Sequence, residues 1–462
     1  TLQQLKQKTL GPGLEARAAL AAADAHDLLG NHQDQLTAAT AAAEKAQSLK
    51  TNLLLARARI QQCWALLNTS QPDKAKPLCE EARTLNQQAG DRLGLARATN
   101  EVANAYWKSG DNASAKPLYE QALNIAQSIG DKLDEAGAQM NLANIEYQAG
   151  EFGKAKESYL RSIELAKERG DKNTIAMAQQ SLGIIYYSQG DIKNGAEMFR
   201  RAITTAHEIG DKGTEAKALN NLCAFSLQSG EMKQAVESCE ASLKLKRETA
   251  DKADIARTLA NQGSVQNAQG NLAAAKESFE QALKTQDELK QKSDAAYLRV
   301  SLAWLAIDEN RAADAKNLAE TALAELISEK DLDGEAGARS ALAQALLLQG
   351  DRSGAVAQSQ QAQKLAIQAT DKIVELEARI TEIRASLPQS NPAESEAKLK
   401  AMEQEAKKAG FAQVAYEARL ALGEVQKRSG KAAAGQQTLR ALAQEAKAKG
   451  FSLIAQKAEN GK

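Results

Sequence analysis

The sequence predicts an all-α protein, a right-handed α-solenoid of about eleven antiparallel helical hairpins. Only 4% of the 462 residues are aromatic, whereas alanine, the strongest helix former, makes up about a fifth of the chain. None of the six prolines lies between Pro117 and Pro388, so no residue in that stretch breaks a helix by lacking an N–H. Glycine also recurs with a period of forty residues, which is typical of stacked repeats.

The repeat consists of two helices separated by two short turns. One glycine series follows the first helix of each unit: Gly30, Gly110, Gly150, Gly190, Gly230, Gly270, Gly350 and Gly430, with Ser70, Asn310 and Ser390 in three of the other positions. A second series lies half a repeat away: Gly90-Asp91, Gly130-Asp131, Gly170-Asp171 and Gly210-Asp211, then Ala250-Asp251, Lys330-Asp331 and Thr370-Asp371, and finally Gly410-Phe411 and Gly450-Phe451. Glycine supplies the left-handed residue that ends a helix, and aspartate caps the next one.

Between the turns, apolar residues follow a helical period. One first helix carries Ala136, Leu142, Ala143 and Tyr147 on the same side. A single hairpin of this size cannot bury its apolar face alone, so neighbouring hairpins must stack. Length alone suggests roughly three globular domains. The repeat instead predicts that the 462 residues form stacked hairpins without a single central core.

These residues resemble the tetratricopeptide repeat (TPR) in its variety of about 40 residues. One matching stretch is Asn141–Gly150, followed by Ala155, Tyr159 and the helix end at Gly170. The small residue of the family's first helix is found at Ala103, Ala143, Gly183, Cys223, Gly263, Ala303 and Ala343. The small residue of its second helix is found at Ala75, Ala115, Ala155, Ala235, Ala275, Ala315 and Ala355. The resemblance implies close contact between helices at these positions.

The array, including Glu417–Glu424 and Lys449–Ala455, also looks like the C-terminal TPR arrays of bacterial Ser/Thr kinases and winged-helix regulators. We therefore expect residues 1–13 to be the end of a truncated preceding repeat, with a kinase or DNA-binding domain upstream. Residues 14–410 are expected to form a continuous solenoid, and residues 411–462 an atypical C-terminal repeat and cap. At Ser390-Asn391-Pro392 the glycine turn is replaced, and an altered angle between repeats is expected there.

Composition and motifs argue against several functional classes. The chain has 59 basic and 59 acidic residues, so its zero net charge favours neither nucleic acid nor an anionic membrane. Signatures of phosphate-binding loops, hydrolases and kinases are missing from the sequence, and the chain is predicted not to be an enzyme. His26, His32 and His207 form no ligand cluster, and we expect no metal or cofactor. No apolar run reaches the roughly 20 residues of a membrane span.

The four cysteines form two pairs with the same spacing. Cys63 and Cys79 are sixteen residues apart, as are Cys223 and Cys239, and both pairs occupy the same two repeat positions. The favoured interpretation is that they are small apolar residues in a tight helix contact. The alternative is two disulfides within hairpins, or a redox switch, which requires close Cβ atoms.

The resemblance implies that the first helices line a concave wall where such solenoids bind partners. Carrying the family pattern over gives a candidate groove lined by Arg97, Asn100, Glu101, Asn104, Trp107, Lys108, Asn141, Asn144, Tyr147, Gln148, Gln180, Tyr187, Lys217, Asn220, Asn221, Arg257 and Asn261. An asparagine amide offers both a donor and an acceptor to an extended peptide backbone. Alternatively, the asparagines are only tolerated on a wet face, and the aromatic residues pack repeat against repeat.

The function predicted from this sequence is a non-enzymatic protein–protein interaction scaffold that binds a peptide or protein segment in the groove. The alternative is a small-ligand-sensing regulatory domain of a bacterial kinase or transcriptional regulator, and a purely structural role was the third possibility. The expected partner is a protein or peptide, without direct contact to nucleic acid. The expected location is cytoplasmic, or periplasmic if an upstream membrane segment was removed.

Overall fold

The computed structural model describes residues 11–249, 252–368 and 371–461. In these residues the chain forms 23 α-helices and one 3-10 helix, Leu387–Gln389, and no β-strand. The predictions made for residues 1–10 and for Ala250, Asp251, Thr370 and Lys462 lie outside the described residues. The chain divides into two compact units, Thr1–Ala178 (unit 1) and Gln179–Lys462 (unit 2). The all-α repeat architecture is confirmed.

In unit 1, first and second helices alternate and consecutive helices pack against each other. The helices are α1 (Pro12–Leu28), α2 (His32–Ser48), α3 (Asn52–Asn68), α4 (Pro72–Ala89), α5 (Arg92–Lys108), α6 (Asn112–Ile129), α7 (Lys132–Gln148) and α8 (Phe152–Arg169). Helix α9 (Lys172–Ser188) contains the boundary between the two units.

Unit 2 continues the alternation to the end of the described chain. Its helices are α10 (Ile192–Ile209), α11 (Lys212–Ser229), α12 (Met232–Thr249), α13 (Lys252–Ala268), α14 (Leu272–Glu288), α15 (Lys292–Asp308), α16 (Ala312–Glu329), α17 (Leu332–Gln349), α18 (Arg352–Ala366), α19 (Lys372–Ser386), α20 (Pro392–Ala409), α21 (Ala412–Arg428), α22 (Ala432–Ala448) and α23 (Ser452–Asn460). The described helices thus make eleven hairpins and one further first helix.

Among the described turns, the backbone conformation follows the sequence pattern except at Ser390. Gly130 has a φ of 73°, and the Asp131 side chain accepts hydrogen bonds from the first backbone N–H groups of α7. Ser70 and Asn310, which replace glycine, also adopt left-handed backbone, with φ of 57° and 58°. Ser390 does not: its φ is −99°, because a 3-10 turn follows α19 and Asn391 caps the next helix instead.

In several hairpins, a first-helix residue contacts the second-helix residue sixteen positions later. Where the second helix carries phenylalanine, the first helix carries glycine: a Cβ added to Gly183 would lie 2.6 Å from Phe199 Cε1, and one added to Gly263 would lie 2.7 Å from Phe279 Cε1. Alanine faces tyrosine in other hairpins. The predicted small positions are accordingly buried at Ala75, Ala103, Ala115, Ala143, Ala155, Ala235, Ala275, Ala303, Ala315, Ala343 and Ala355.

In two hairpins this same contact is a disulfide. Cys63 is bonded to Cys79 and Cys223 to Cys239, with Cα atoms 5.5 Å and 5.2 Å apart. The interpretation of these cysteines as unbonded apolar residues is therefore wrong, and the alternative is the one observed. The physical reason is that the sixteen-residue spacing places both side chains in the tightest contact of the hairpin, within the range of Cα distances that a disulfide spans.

The C-terminal repeats pack onto an earlier part of unit 2. Phe411 and Phe451, which stand where other turns carry aspartate, are 1% and 2% exposed. The Phe411 ring centroid lies 6.3 Å from that of Tyr187, and a Cβ added to Gly450 would lie 2.9 Å from Met232 Cγ. These contacts place the turns before α21 and α23 against the first-to-second-helix turns of earlier hairpins. Where phenylalanine replaces the capping aspartate, the residue at the turn is buried against an earlier hairpin. We call Phe411 and Phe451 the buried anchors.

We expect Phe451→Ala to lower the free energy of unfolding by about 3–5 kcal/mol, because it removes a buried aromatic ring and leaves a cavity. Urea denaturation followed by circular dichroism measures the effect. The control is Ile367→Ala, whose side chain is 70% exposed and whose loss changes stability by about 0.5 kcal/mol or less. Equal denaturation curves for the two variants would contradict the buried-anchor interpretation.

Reduction is expected to destabilise both disulfide-bonded hairpins by about 3 kcal/mol each, the value that loop-closure entropy gives for a loop of this length. Thiol titration of the denatured protein tests the bonds directly, with no free thiol before reduction and all 4 cysteines reactive afterwards. A Cys63→Ala/Cys79→Ala variant serves as the control, since only the second hairpin then responds to reductant. Reactive thiols in the unreduced protein would refute the bonding.

Candidate functional site

The predicted asparagines of unit 1 come together on one surface. Asn100 and Asn104 lie on α5, and Asn141 and Asn144 lie at the equivalent positions of α7 or one residue later. Asn141 Nδ2 donates to Asn100 Oδ1 at 3.0 Å and, at 3.4 Å, to Asn104 Oδ1. We use the term unit 1 wall for the surface formed by the side chains of four first helices. These side chains are Asp24 and Asp27 of α1, Gln61 and Trp64 of α3, Asn100, Glu101 and Asn104 of α5, and Asn141 and Asn144 of α7.

Two tyrosines of the second helices fix the wall from behind. Tyr119 donates its hydroxyl to Asn104 Oδ1 at 2.6 Å, and Tyr159 donates to Asn144 Oδ1. Both tyrosines are buried, and each follows its asparagine by fifteen residues. Burial raises the pKa of Tyr119, so the hydroxyl stays protonated and acts as a donor. Each bond turns the amide oxygen toward the hairpin and the amide nitrogen away from it.

The two asparagines of α7 retain one unused acceptor atom and one unused donor group. Asn141 uses its amide nitrogen, and within the described residues its Oδ1 has no hydrogen-bond partner. Asn144 uses its oxygen, and within the same residues its Nδ2 has none. The two residues are half-buried and three positions apart, so they share one face of the helix. A C=O and an N–H group of an extended backbone match this pair.

The charged and aromatic residues of the predicted groove are bound mostly to neighbouring repeats. Arg97 Nε donates to Asp134 Oδ2 at 2.9 Å, and Lys108 Nζ donates to the Leu67 carbonyl oxygen at 3.0 Å. Trp107 Nε1 donates to Gln148 Oε1 at 3.2 Å, and its ring packs on the apolar cluster that contains Tyr119. The Tyr147 ring lies 5.5 Å from that of Phe152. These contacts support the interpretation that Trp107 and Tyr147 pack against other residues of the repeats.

The sequence analysis missed the part of this wall that precedes Arg97. Trp64 on α3 occupies the repeat position of Asn104 and Asn144, and its Nε1 donates to Asp27 Oδ1 at 2.7 Å. Gln61 Nε2 donates to Asp24 Oδ1 at 2.7 Å. Shifting the family pattern back by forty residues identifies Trp64 and Gln61, whereas only the structure reveals that α1 supplies the two aspartates.

Glu101 is the most perturbed acid of the unit 1 wall. Its carboxylate accepts from Asn104 Nδ2 at 3.0 Å and from Asn100 Nδ2 at 3.4 Å. Burial, together with the charge of Asp27, raises the pKa of Glu101 to about 7, although these amides and the charge of Lys108 favour the ionised form. Burial also raises the pKa of Asp27.

In unit 2 the predicted residues are arranged in a similar way but without the tyrosine bonds. Asn261 Nδ2 donates to Asn220 Oδ1 at 3.0 Å, and Arg257 is paired with Asp254 and Asp294. Lys217 is exposed, whereas Gln180 and Asn221 are half-buried. Tyr187 is enclosed by Phe225 and Phe411, with ring centroids 5.6 Å and 6.3 Å away. This tyrosine belongs to the packing of unit 2.

An ion network lines the first helices of unit 2 where the C-terminal repeats pack. Arg384 on α19 donates to Glu417 at 3.1 Å and to Glu424 at 3.2 Å, both on α21. Lys457 on α23 lies 2.6 Å from Asp308 Oδ1 and 3.8 Å from Glu417 Oε1. Burial opposes the ionised form of Glu417, but Lys457 and Arg384 together lower its pKa.

Glu377, also on α19, has a different environment. Burial and the nearby carboxylates of Asp371 and Glu417 together raise the pKa of Glu377 to about 8. Its charge therefore costs free energy in the folded protein, in contrast to the ion-paired Glu417. Burial also raises the pKa of Asp371, although two backbone N–H groups stabilise its ionised form.

The arrangement is suited to recognition by hydrogen bonds and charge. Among the described residues, no group of His, Cys, Asp and Glu side chains could hold a metal ion. None of the helices in the described ranges combines the length and apolar character needed to cross a bilayer. Two open depressions of about 450 and 460 Å³ lie in unit 2, one beside Glu240 and Arg247 and the other beside Arg257 and Lys292. Trp107, Tyr147 and Tyr187 line neither of these two.

Comparison with known proteins identifies the repeat. Tetratricopeptide repeat models match residues 55–128, 134–206, 214–288 and 336–361. No curated protein matches the chain by sequence.

Two solved structures illustrate the likeness of the fold. A Rap protein complexed with competence and sporulation factor is 14% identical, with a TM-score of 0.54, covering 81% of this chain and 98% of that chain. A signal transduction ATPase with numerous domains, with a tetratricopeptide repeat sensor, from Pyrococcus horikoshii is also 14% identical. Its TM-score is 0.51, and the match covers 77% of this chain and 54% of that chain.

Glu377→Gln is expected to stabilise the protein more at high pH than at low pH. The folded state binds the Glu377 proton more tightly than the unfolded state, so its contribution to stability falls as pH rises from about 4.5 to about 8. After allowance for solvent screening, the variant should gain about 1–2 kcal/mol over the unmodified chain near pH 9 and little near pH 5. Urea denaturation at both pH values measures this. Glu382→Gln on the same helix is the control, and an equal gain in the two variants would contradict the assignment.

Proposed function

Because the chain belongs to the tetratricopeptide repeat family, we propose that it is a non-enzymatic protein-interaction scaffold that binds an extended protein segment along its first helices. The observation that carries the proposal is the pair formed by Asn141 and Asn144. One offers an acceptor and the other a donor on the same face of α7, and Tyr159 orients the second amide. Such a fixed pair binds a peptide backbone at little cost in side-chain entropy.

The neighbouring repeat supports the same proposal. Asn100 accepts a hydrogen bond from Asn141, and Asn104 repeats the tyrosine bond of Asn144, so the amides of two hairpins form one continuous polar strip. Recognition of an extended segment by backbone hydrogen bonds needs such a strip. The Rap protein that shares this fold was solved with competence and sporulation factor, which agrees with a binding role for the fold.

The proposal extends to unit 2 through Gln180, Lys217, Asn220, Asn221, Arg257 and Asn261. Asn220 and Asn261 are linked across repeats as Asn100 and Asn141 are. The second-helix residue behind this part of the wall is a cysteine or phenylalanine, which lacks the hydroxyl of Tyr119 and Tyr159. We therefore place the stronger site on the unit 1 wall.

Sensing of a small ligand for an attached kinase or transcriptional regulator is the alternative function. It requires an enclosed pocket, whereas the pair on α7 suits an extended backbone. The disulfides bear on location, because such bonds persist in oxidising compartments and are rare in the cytosol. We therefore propose an oxidising compartment such as the periplasm over the cytoplasm.

Linear peptides selected from a random phage-displayed library against the full chain provide the test. Asn141→Ala/Asn144→Ala is expected to weaken the selected peptides by about tenfold or more, since two backbone hydrogen bonds are lost. Fluorescence polarisation with labelled peptide measures the affinity. Asn124→Ala, an exposed position on the second helix α6, is the matched control. Failure to select any peptide, or equal binding by the asparagine variant and the control, would overturn the proposal.

A further inference from the structure

The beginning of the unit 1 wall differs in chemistry from the asparagine strip. At the repeat position of Asn104 and Asn144 it carries Trp64, whose indole N–H donates to Asp27 Oδ1 at 2.7 Å. This bond orients the half-buried ring toward α1. Its flat face is an apolar surface that attracts cations through the ring quadrupole.

Asp27 is bonded to this ring, and Glu101 stands 37 residues after Trp64, the same offset at which Asn141 contacts Asn104 and Gln61 contacts Asp24 across neighbouring first helices. Neutral groups supply the close hydrogen bonds of both carboxylates. Asp27 accepts from the indole, and Glu101 accepts from the Asn104 amide at 3.0 Å and the Asn100 amide at 3.4 Å. A neutral donor orients a carboxylate without cancelling its charge. The two acids are close enough for the charge of Asp27 to raise the pKa of Glu101.

Three cationic side chains lie near these acids, and each has a hydrogen-bond partner other than Asp27 or Glu101. Arg57 Nη2 donates to Asp24 Oδ2 at 2.7 Å, so that acid is paired. His32 Nδ1 lies 3.9 Å from Asp27 Oδ1 and 3.0 Å from Gln35 Oε1. Lys108 acts on Glu101 through its charge, while its Nζ donates to the backbone of α3.

We infer that Asp27, Trp64 and Glu101 bind an arginine side chain of the segment that occupies the unit 1 wall. A guanidinium is planar, stacks on an aromatic ring and donates to two carboxylates at once, so it complements all three residues. This inference rests on the proposed function and adds the chemical class of the partner, a segment with a basic residue next to its backbone-bound part.

Burial accounts for the strength of this preference. Together with the charge of Asp27 it raises the pKa of Glu101 to about 7, and it also raises the pKa of Asp27, so both charges are costly while the wall is unoccupied. A bound cation stabilises the ionised forms and offsets that cost. A neutral side chain of the same shape adds no charge to stabilise these half-buried carboxylates. Discrimination between the two therefore comes from the wall and not from the net charge of the chain, which is zero.

The experiment uses the phage-selected peptides and the full chain. We expect the selected sequences to share an arginine, and replacing it by citrulline, its neutral isostere, to weaken binding by about tenfold or more. Glu101→Gln should weaken the arginine peptide by a similar factor. The citrulline peptide should bind Glu101→Gln and the unmodified protein alike, because the two changes remove the same interaction.

Glu157→Gln, at an exposed position on α8, is the matched control and should leave both affinities unchanged. Circular dichroism checks the fold of each variant, and Asp27→Asn replaces Glu101→Gln if that variant does not fold. One refuting outcome is a peptide that loses affinity for the Asn141→Ala/Asn144→Ala variant but keeps its affinity when its arginine is changed to citrulline. The other is a Glu101→Gln variant that binds both peptides more weakly by the same factor. Either outcome refutes the arginine site and leaves the scaffold proposal standing. If no peptide is selected, both fall.

Discussion

The contact between the two helices of a hairpin, at residues sixteen apart, is the constraint on which the rest of the structure depends. In the hairpin of α9 and α10, Gly183 leaves the space that the Phe199 ring fills. Close-packed interiors tolerate neither a void nor an overlap, so a Cβ at Gly183 would not fit beside that ring. Cys63 and Cys79 satisfy the same constraint by sharing a covalent bond.

That contact also shapes the surface. Where the large partner is tyrosine, its hydroxyl passes beyond the core and reaches the first-helix asparagine one residue after the small position. Phenylalanine at the same place also fills the core but has no hydroxyl to donate, and Ile184 and Ser264 stand at the wall position instead of asparagine. The polar strip therefore depends on the tyrosine hydroxyl group, which is present in two consecutive hairpins.

Most of the fold could be predicted because the periods of glycine and of the small residues are written directly in the sequence. The disulfides could not, because the spacing that brings Cys223 and Cys239 together serves equally for unbonded side chains, and the bond depends on ångström-level geometry. The repeat pattern predicts the positions of the candidate asparagines. It does not predict that Tyr119 and Tyr159 bind them, because tyrosines at helical spacing are usually core residues. Asp27 was missed because it lies at the end of α1, on a different repeat from the tryptophan it binds.

The two phenylalanines that replace aspartate show how a local exchange changes the packing between hairpins. An aspartate at a turn satisfies backbone N–H groups and faces water, so it separates neighbouring turns. Phe411 and Phe451 give up that cap and are buried instead, while Gly230 and Gly450 allow the facing chains to approach. The aromatic rings contribute apolar burial that no capping bond matches, since a cap contributes about 1 kcal/mol and a buried ring several. Packing therefore outweighs capping at these two turns, and the C-terminal repeats cover first helices of unit 2.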